Sequence, residues 1–386
     1  MQHRNPTWPV SMLLLACLHA PIVAEEQQTD GGGAFRIAAI LQHEQAFDEA
    51  HDVELLGDLA FVPGKGGSLA IVDVADPERP RLLWHRHDPA ALPDAETVLP
   101  AEGRLYLGTE DFHSLDITDP RAPKFEAVVS DREKVRRING MARRGDLLFA
   151  ANKLGWIDVF DVSNPRKPRL AEAVDARGRF KLHSPHDLDL FDAYVVVCDP
   201  AGFGREGKPG RLAVIRAFDR RGELAPAAKW ELTGSVASRE LSGANRVQVR
   251  GRHAFVGGSV SPRSPGGLKP HGVVVDLTNP AEPRQAAVVP FPDVRGPNGL
   301  AVAGDVWFLA GGQTIVACDI STPETPKVLA AFTSPEAFPT ADDNAHDLVY
   351  RDGYLFVSGQ GDNRFLVLRV TDEAIRRLAE AEPGGK

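Results

Sequence analysis

The sequence predicts an all-β protein, a closed seven-bladed β-propeller of four-stranded antiparallel blades. Three observations carry this. A segment of one pattern recurs seven times, with successive turns 43 to 60 residues apart. Each copy shows the two-residue alternation of strands, and none shows helical spacing. The last copy ends one strand short, and an apolar stretch near the start of the chain can supply it.

The copies begin at a Gly-polar turn. "GDLAFVPGKGGSLAIVDVADPERPRLL" starts at Gly57, "GRLYLGTEDFHSLDITDPRAPKFE" at Gly103 and "GDLLFAANKLGWIDVFDVSNPRKPRLA" at Gly145. "GRHAFVGG" at Gly251 continues, after an insertion, as "HGVVVDLTNPAEPRQA"; "GDVWFLAGGQTIVACDISTPETPKVLA" starts at Gly304. Two degenerate copies span 191–219 and 352–372. In the first unit the reading is strand A at His51–Leu56, B at Leu59–Pro63, C at Ser68–Val74 and D at Arg81–His87. The "GD" between A and B is a hairpin signal. The "DP-x-x-P" between C and D is a turn, because Asp or Asn caps its first position and Pro presets φ. Such turns fall at Asp76, Asp119, Asn164, Asp219, Asn279, Thr322 and Thr371. A period in the forties with four short strands is a propeller blade rather than a helical solenoid.

The seventh unit lacks its outer strand, and "FRIAAILQ" at Phe35–Gln42 is expected to pair beside Arg364–Val370. That pairing closes the ring and removes its open edges. Residues 34–372 are then one domain, and the polar 373–386 is expected to be helical or disordered.

Residues 1–24 have the layout of a secretory signal peptide, with Arg4, a short apolar run from Val10 to Leu18, Pro21 and a small-residue cleavage site after Ala24. An alternative is a lipoprotein signal ending at Ala16, since "LLAC" would make Cys17 a lipidated first residue, although Leu15 stands where a smaller residue is usual. A third is an uncleaved, disordered start. Residues 25–33 then form a flexible linker. Export to the periplasm or medium is expected, with a lipid anchor at Cys17 as the only membrane attachment. Cys198 and Cys318 lie far apart on β-like runs and are expected to be free and buried. The formal charge of −9 argues against a general nucleic-acid binder.

The phrases "LAIVDVADP" (69–77), "IDVFDVSNP" (157–165), "GVVVDLTNP" (272–280) and "IVACDISTP" (315–323) resemble the LVIVD-repeat family of exported bacterial and archaeal propellers. The resemblance spans nearly the whole mature chain. It implies the fold and says almost nothing of activity. Histidines before strand A, and long insertions in the fourth and fifth units, depart from it.

Aligned from strand A, the first positions read His51, Glu96, Asn139, His186, Asn245, Asn298 and His346. Strand A is innermost in a propeller, so these seven should ring one mouth of the channel. One reading is structural: polar side chains satisfy backbone groups at a wet mouth, and Asp52, Asp187 and Asp347 bond neighbouring turns. The other is a site. His51, His186, His346 and Glu96 could hold a divalent transition metal with those aspartates orienting the imidazoles, though blade four lies across the ring from blades seven and one.

The B–C loops 199–210 and 258–271 open on the same face and are far longer than the "GKGG" of the first unit. They bring Arg205, Lys208, Arg263, Lys269 and His271 to one side, where with Asn139, Asn245 and Asn298 they could receive an anionic ligand. The bland alternative is two solvated loops. Glu110, Asp111 and His113 are placed in the second unit's B–C loop as weaker candidates. "GFGREG" lacks the strand–loop–helix setting of a phosphate loop, and there is no G-x-S-x-G, H-E-x-x-H or C-x-x-C. The expectation is a monomeric binding protein for an extracytoplasmic protein, carbohydrate or small anion. The alternatives are a metal-dependent hydrolase or oxidase at the same mouth and a structural envelope component.

Overall fold

The computed structural model describes residues 33–200, 209–258, 269–293, 295–340 and 345–381. Seven four-stranded antiparallel sheets form the blades, and in six of them the strands follow in chain order, A to D. The seventh runs Ala345–Arg351, Tyr354–Gly359 and Arg364–Val370, with Phe35–Gln42 as its outer strand. Phe35 pairs with Val370 and Gln42 with Arg364, and a bulge falls between Ile37 and Ala39. The expected closure is therefore present, and Phe35, Ile37 and Leu41 are buried by it.

In blade 1 the outer strand is Arg81–His87, as expected, whereas the inner ladder shortens to Glu54–Leu56. Before it, Asp52 accepts the Val53 N–H at 2.9 Å, and an isolated bridge joins Ala50 to Gly64.

The recurrent Asp of the "D-[VIL]" ending staples the C–D hairpin in three of the blades. In blades 1, 3 and 5, Asp73, Asp161 and Asp276 pair with Arg81, Arg169 and Arg284 at 2.5, 2.6 and 2.8 Å. Their other oxygen accepts an N–H two residues on, from Ala75, Ser163 and Thr278. The turns that follow close as the proline pattern requires, as in Arg79 N–H to Asp76 O at 2.9 Å.

The core lies between the blades. Val196, Cys198, Leu212 and Val214 of blade 4 pack against Val247, Val256 and Val273 of blade 5. Cys198 and Cys318 are both free and buried. After the last strand, Asp372 caps a helix, Glu373–Ala379, through the Ala374 and Ile375 N–H groups. The helix buries Ile375 and Ala379, and its Leu378 carbonyl accepts from Asp305 N in blade 6 at 2.7 Å.

Candidate functional site

The seven ring positions converge on the channel as the repeat geometry requires. They interlock. His346 Nδ1 donates to the His51 carbonyl at 2.6 Å, and His51 Nδ1 to the Glu96 carbonyl at 2.6 Å. Asn139 Nδ2 donates to the His186 carbonyl at 2.7 Å, and Asn245 Nδ2 to Asn298 Oδ1 at 3.0 Å. Each of these bonds crosses from one blade to the next. All the ring residues are buried except the half-buried Asn245, so this end of the channel is narrowed by its own side chains rather than open and wet.

A carbonyl only accepts, so Nδ1 carries the proton in His51 and His346, and in His186, whose Nδ1 meets Ser184 O at 2.8 Å. Burial pushes all three imidazoles down. His51 and His346 fall well below the usual range, helped by the nearby cations Lys65 and Arg246, and His186 falls to about 3. Neutral rings with Nδ1–H leave Nε2 as the lone-pair nitrogen. The His51 and His346 rings lie 4.0 Å apart between centroids. Among the described residues, no three His, Cys, Asp or Glu side chains are disposed to hold a metal ion.

Two lysines complete the rim. Lys65 and Lys153 each directly follow strand B, in blades 1 and 3. Lys153 Nζ bonds Glu96 Oε2, while Lys65 Nζ stands 3.8 Å from Glu96 Oε1. Burial lowers the Lys153 ammonium to about 8, against the pull of Glu96. Neither lysine was singled out from the sequence, although the shared position after strand B was there to be read.

One residue inward, the carboxylates act as expected of structural groups, but on neighbouring strands rather than turns. Asp52 Oδ2 accepts from Val98 N at 3.1 Å, and Asp187 Oδ2 from Val247 N at 2.9 Å. Asp189 repeats this on Val249 at 2.7 Å, and Gln248 on Val302 at 2.7 Å. Each fills an N–H that an innermost strand would leave unpaired. In blade 5 this position is Arg246, which lies 3.2 Å from Asp347 and 3.7 Å from Asp52. Burial opposes its charge, and Asp347, Asp52 and Asp187 outweigh that. Asp347 is pushed well above the usual carboxyl range by burial, with Arg246 opposing the shift and the Asp52 carboxylate adding to it. Arg246 also escaped the sequence reading, which named the aspartates of that column but not its arginine.

Of the loop residues, Arg205, Lys208 and Arg263 lie outside the described residues. Lys269 is exposed. His271 is turned into its blade, its ring nitrogens 2.6 and 2.8 Å from the carbonyls of Lys269 and Glu240. His113 belongs to strand C (Phe112–Asp116), not to the loop, and is buried against Thr109 at 3.1 Å. Glu110 stays in the loop, paired with Arg136 at 2.8 Å.

Seven closed blades with a polar channel define a β-propeller. The LVIVD repeat family matches residues 49–84, which are blade 1. Together with the seven-bladed ring, that match supports the resemblance to LVIVD-repeat propellers. No curated protein matches it. Solved structures of similar fold include the WD40 domain of Neurospora crassa Pan2, at 10% identity and TM-score 0.59, covering 90% of this chain and 98% of that one. A chain of a mitotic checkpoint complex is similar at 9% identity and TM-score 0.61, covering 92% and 100%. The computationally designed Ika8 protein is similar at 12% and 0.54, covering 85% and 98%. These likenesses concern the fold alone.

Proposed function

We propose that this protein is an exported binding protein whose B–C face receives an acidic ligand or partner outside the cytoplasm. The observation that carries this is the convergence of Lys65 and Lys153 on the single carboxylate of Glu96. Two cations over one anion leave the rim locally positive in a chain of net charge −9. Lys269 is exposed nearby in sequence to His271, and Arg205, Lys208 and Arg263 belong to the same long loops. A rigid ring with charged loops selects by charge and shape and needs no catalytic group. The signal-like start supports export, with cleavage after Ala24 or lipidation of Cys17 decided by mass spectrometry of the mature N-terminus.

The test is binding to immobilised polyglutamate and to the acidic polysaccharide alginate. Lys65→Glu with Lys269→Glu should weaken binding at least tenfold, and added salt should weaken it further. Binding by wild-type protein that ignores both the variant and salt ends the reading.

A metal-dependent activity at the same ring is the second reading, favoured by the fixed Nδ1–H tautomers of His51, His186 and His346. It requires zinc or cobalt binding that is lost in the triple His→Asn variant. Equal affinity in the two proteins removes it.

A further inference from the structure

Where blade 3 meets blade 4, Arg177, Arg179, Lys181 and Lys229 are all exposed. The first three lie in the connection that follows the outer strand Arg169–Asp175. Arg177 N donates to the Gly155 carbonyl at 3.0 Å, and Ser184 Oγ to the Lys153 carbonyl at 2.9 Å. The connection is thus laid against the loop that carries Lys153 to the channel mouth. Gly155 makes room for it, because a Cβ there would stand 2.9 Å from Arg177 Cβ.

These cations are held by backbone carbonyls rather than by acids. Arg177 donates from Nε and Nη2 to His183 O at 3.3 and 2.9 Å. Arg179 grips the carbonyls of Ala227, Ala228 and Trp230, the last at 2.7 Å, which sets it beside Lys229. Lys181 Nζ donates to Gly178 O at 2.8 Å. A carbonyl fixes a cation without cancelling its charge. Elsewhere the exposed arginines are cancelled, as Arg81, Arg169 and Arg284 are by their aspartates. Among the described residues, none of the four cations forms an ion pair. The neighbouring carboxylates are engaged, Asp175 on Gly178 N, and the buried Asp199 on His183 N and Ser184 N. Glu231, exposed after Trp230, opposes the four with a single charge. The band stays positive in a chain of net charge −9.

A small anion would reach only part of such a band, whereas a chain of anions can follow it. A guanidinium has five N–H donors. Arg177 spends two on its carbonyl and Arg179 three, and the rest are left for a ligand's oxygens. A protein partner would need an apolar anchor at the centre. The exposed large hydrophobic residues, Val128, Val288, Val328 and Leu329, lie instead on the outer strands of blades 2, 5 and 6. Phe180 and Trp230 are buried, so the band offers nucleic acid no ring on which to stack. Cations pinned in place favour anions that are pinned too. Carboxylates set directly on the rings of a stiff sugar chain lose less freedom on docking than those on flexible glutamate side chains.

We propose that this band binds an acidic polysaccharide, whose ring carboxylates accept from Arg177, Arg179, Lys181 and Lys229 as the chain runs outward from the channel mouth. The proposal rests on the reading of the B–C face as the receiver of an acidic ligand, and gives that ligand a class and a path.

The experiment is interferometric binding of the full chain to alginate oligosaccharides, neutral dextran and polyglutamate at low salt. Alginate should bind, dextran should not, and polyglutamate should bind more weakly than alginate. Lys181→Glu with Lys229→Glu should weaken alginate binding about tenfold or more, and salt should weaken what remains. Lys124→Glu with Lys327→Glu changes the net charge equally on blades 2 and 6 and should leave binding unchanged. If the first variant fails to fold, Lys229→Glu with Arg177→Gln asks the same question without touching Lys181. Full alginate affinity in the band variants overturns the proposal, as does an equal loss in the Lys124/Lys327 control. Polyglutamate bound as tightly as alginate overturns the polysaccharide assignment. Loss on Lys65→Glu with Lys269→Glu but not in the band variants leaves the B–C-face reading standing and removes this one. Alginate and polyglutamate both left unbound by the wild-type chain remove the two together.

Discussion

Replacing Gly140 by alanine tests the wedge that locks blades 3 and 4 together. A Cβ at Gly140 would stand 2.0 Å from Asp187 Oδ1 and 2.9 Å from Asp187 Cα. Asp187 cannot simply rotate aside. Its carboxylate is fixed by Leu188 N and Val247 N, each at 2.9 Å. Overpacking a buried contact costs about 1–3 kcal/mol. Losing the bond across to Val247 adds about 1–2 kcal/mol, at the lower end because Asp187 is near half-protonated at neutral pH. Alanine recovers about 0.5–1 kcal/mol in a strand, since Gly140 is not at positive φ. The balance is a destabilisation of about 2–3 kcal/mol. Urea unfolding, with the slope compared between variants, measures it. Asp187→Ala removes the carboxylate but leaves the Asp187 Cα at 2.9 Å, so Gly140→Ala should cost clearly less in that background, though not nothing. A cost below about 0.5 kcal/mol in the wild-type background, or the same cost in both backgrounds, would refute the wedge.

Asp158 is buried, with Asn152 Nδ2 on one oxygen at 3.0 Å and no partner on the other, and burial raises it to about 8. The folded state therefore holds a proton that the unfolded chain releases near pH 4. Stability from this group is full below that range and is lost as pH rises to about 8, on the order of a few kcal/mol. Asp158→Asn should flatten that part of the pH–stability curve, and an unchanged slope counts against it. Burial raises the Cys198 thiol well above its usual value and Cys318 to about 12. Ellman's reagent should therefore find neither in native protein and both in urea, and rapid native labelling would contradict their burial. Deleting residues 34–42 bares the edge of Arg364–Val370, and light scattering should show association that the full ring does not. A variant that stays monomeric and melts like wild type would mean the closing strand is dispensable.

The blade count, the closing strand and the convergence of the ring were legible because each rests on a repeat. A period-two pattern fixes which residues face inward, and seven copies in register fix that equivalent residues meet at one height. His113 was misplaced because one residue of loop length moves a position into or out of strand C, and propensity does not set loop length.

What the sequence by itself determined was which residues stand at each level of the channel. His51, His186 and His346 share one level, and Asp52, Asp187 and Asp347 the next, by register alone. What only the tertiary structure decided was what they do there. Register does not tell a side chain which neighbour it reaches. The imidazoles turn sideways to carbonyls of adjacent blades, the aspartates fill N–H groups of the next inner strand, and Arg246 takes the place of an aspartate among three of them. Distances across the ring join residues nearly three hundred positions apart, as His51 and His346 are, and their partners, burial and charge are set by that closure. Burial, which the repeat does not encode, then pushed the three imidazoles below their usual range.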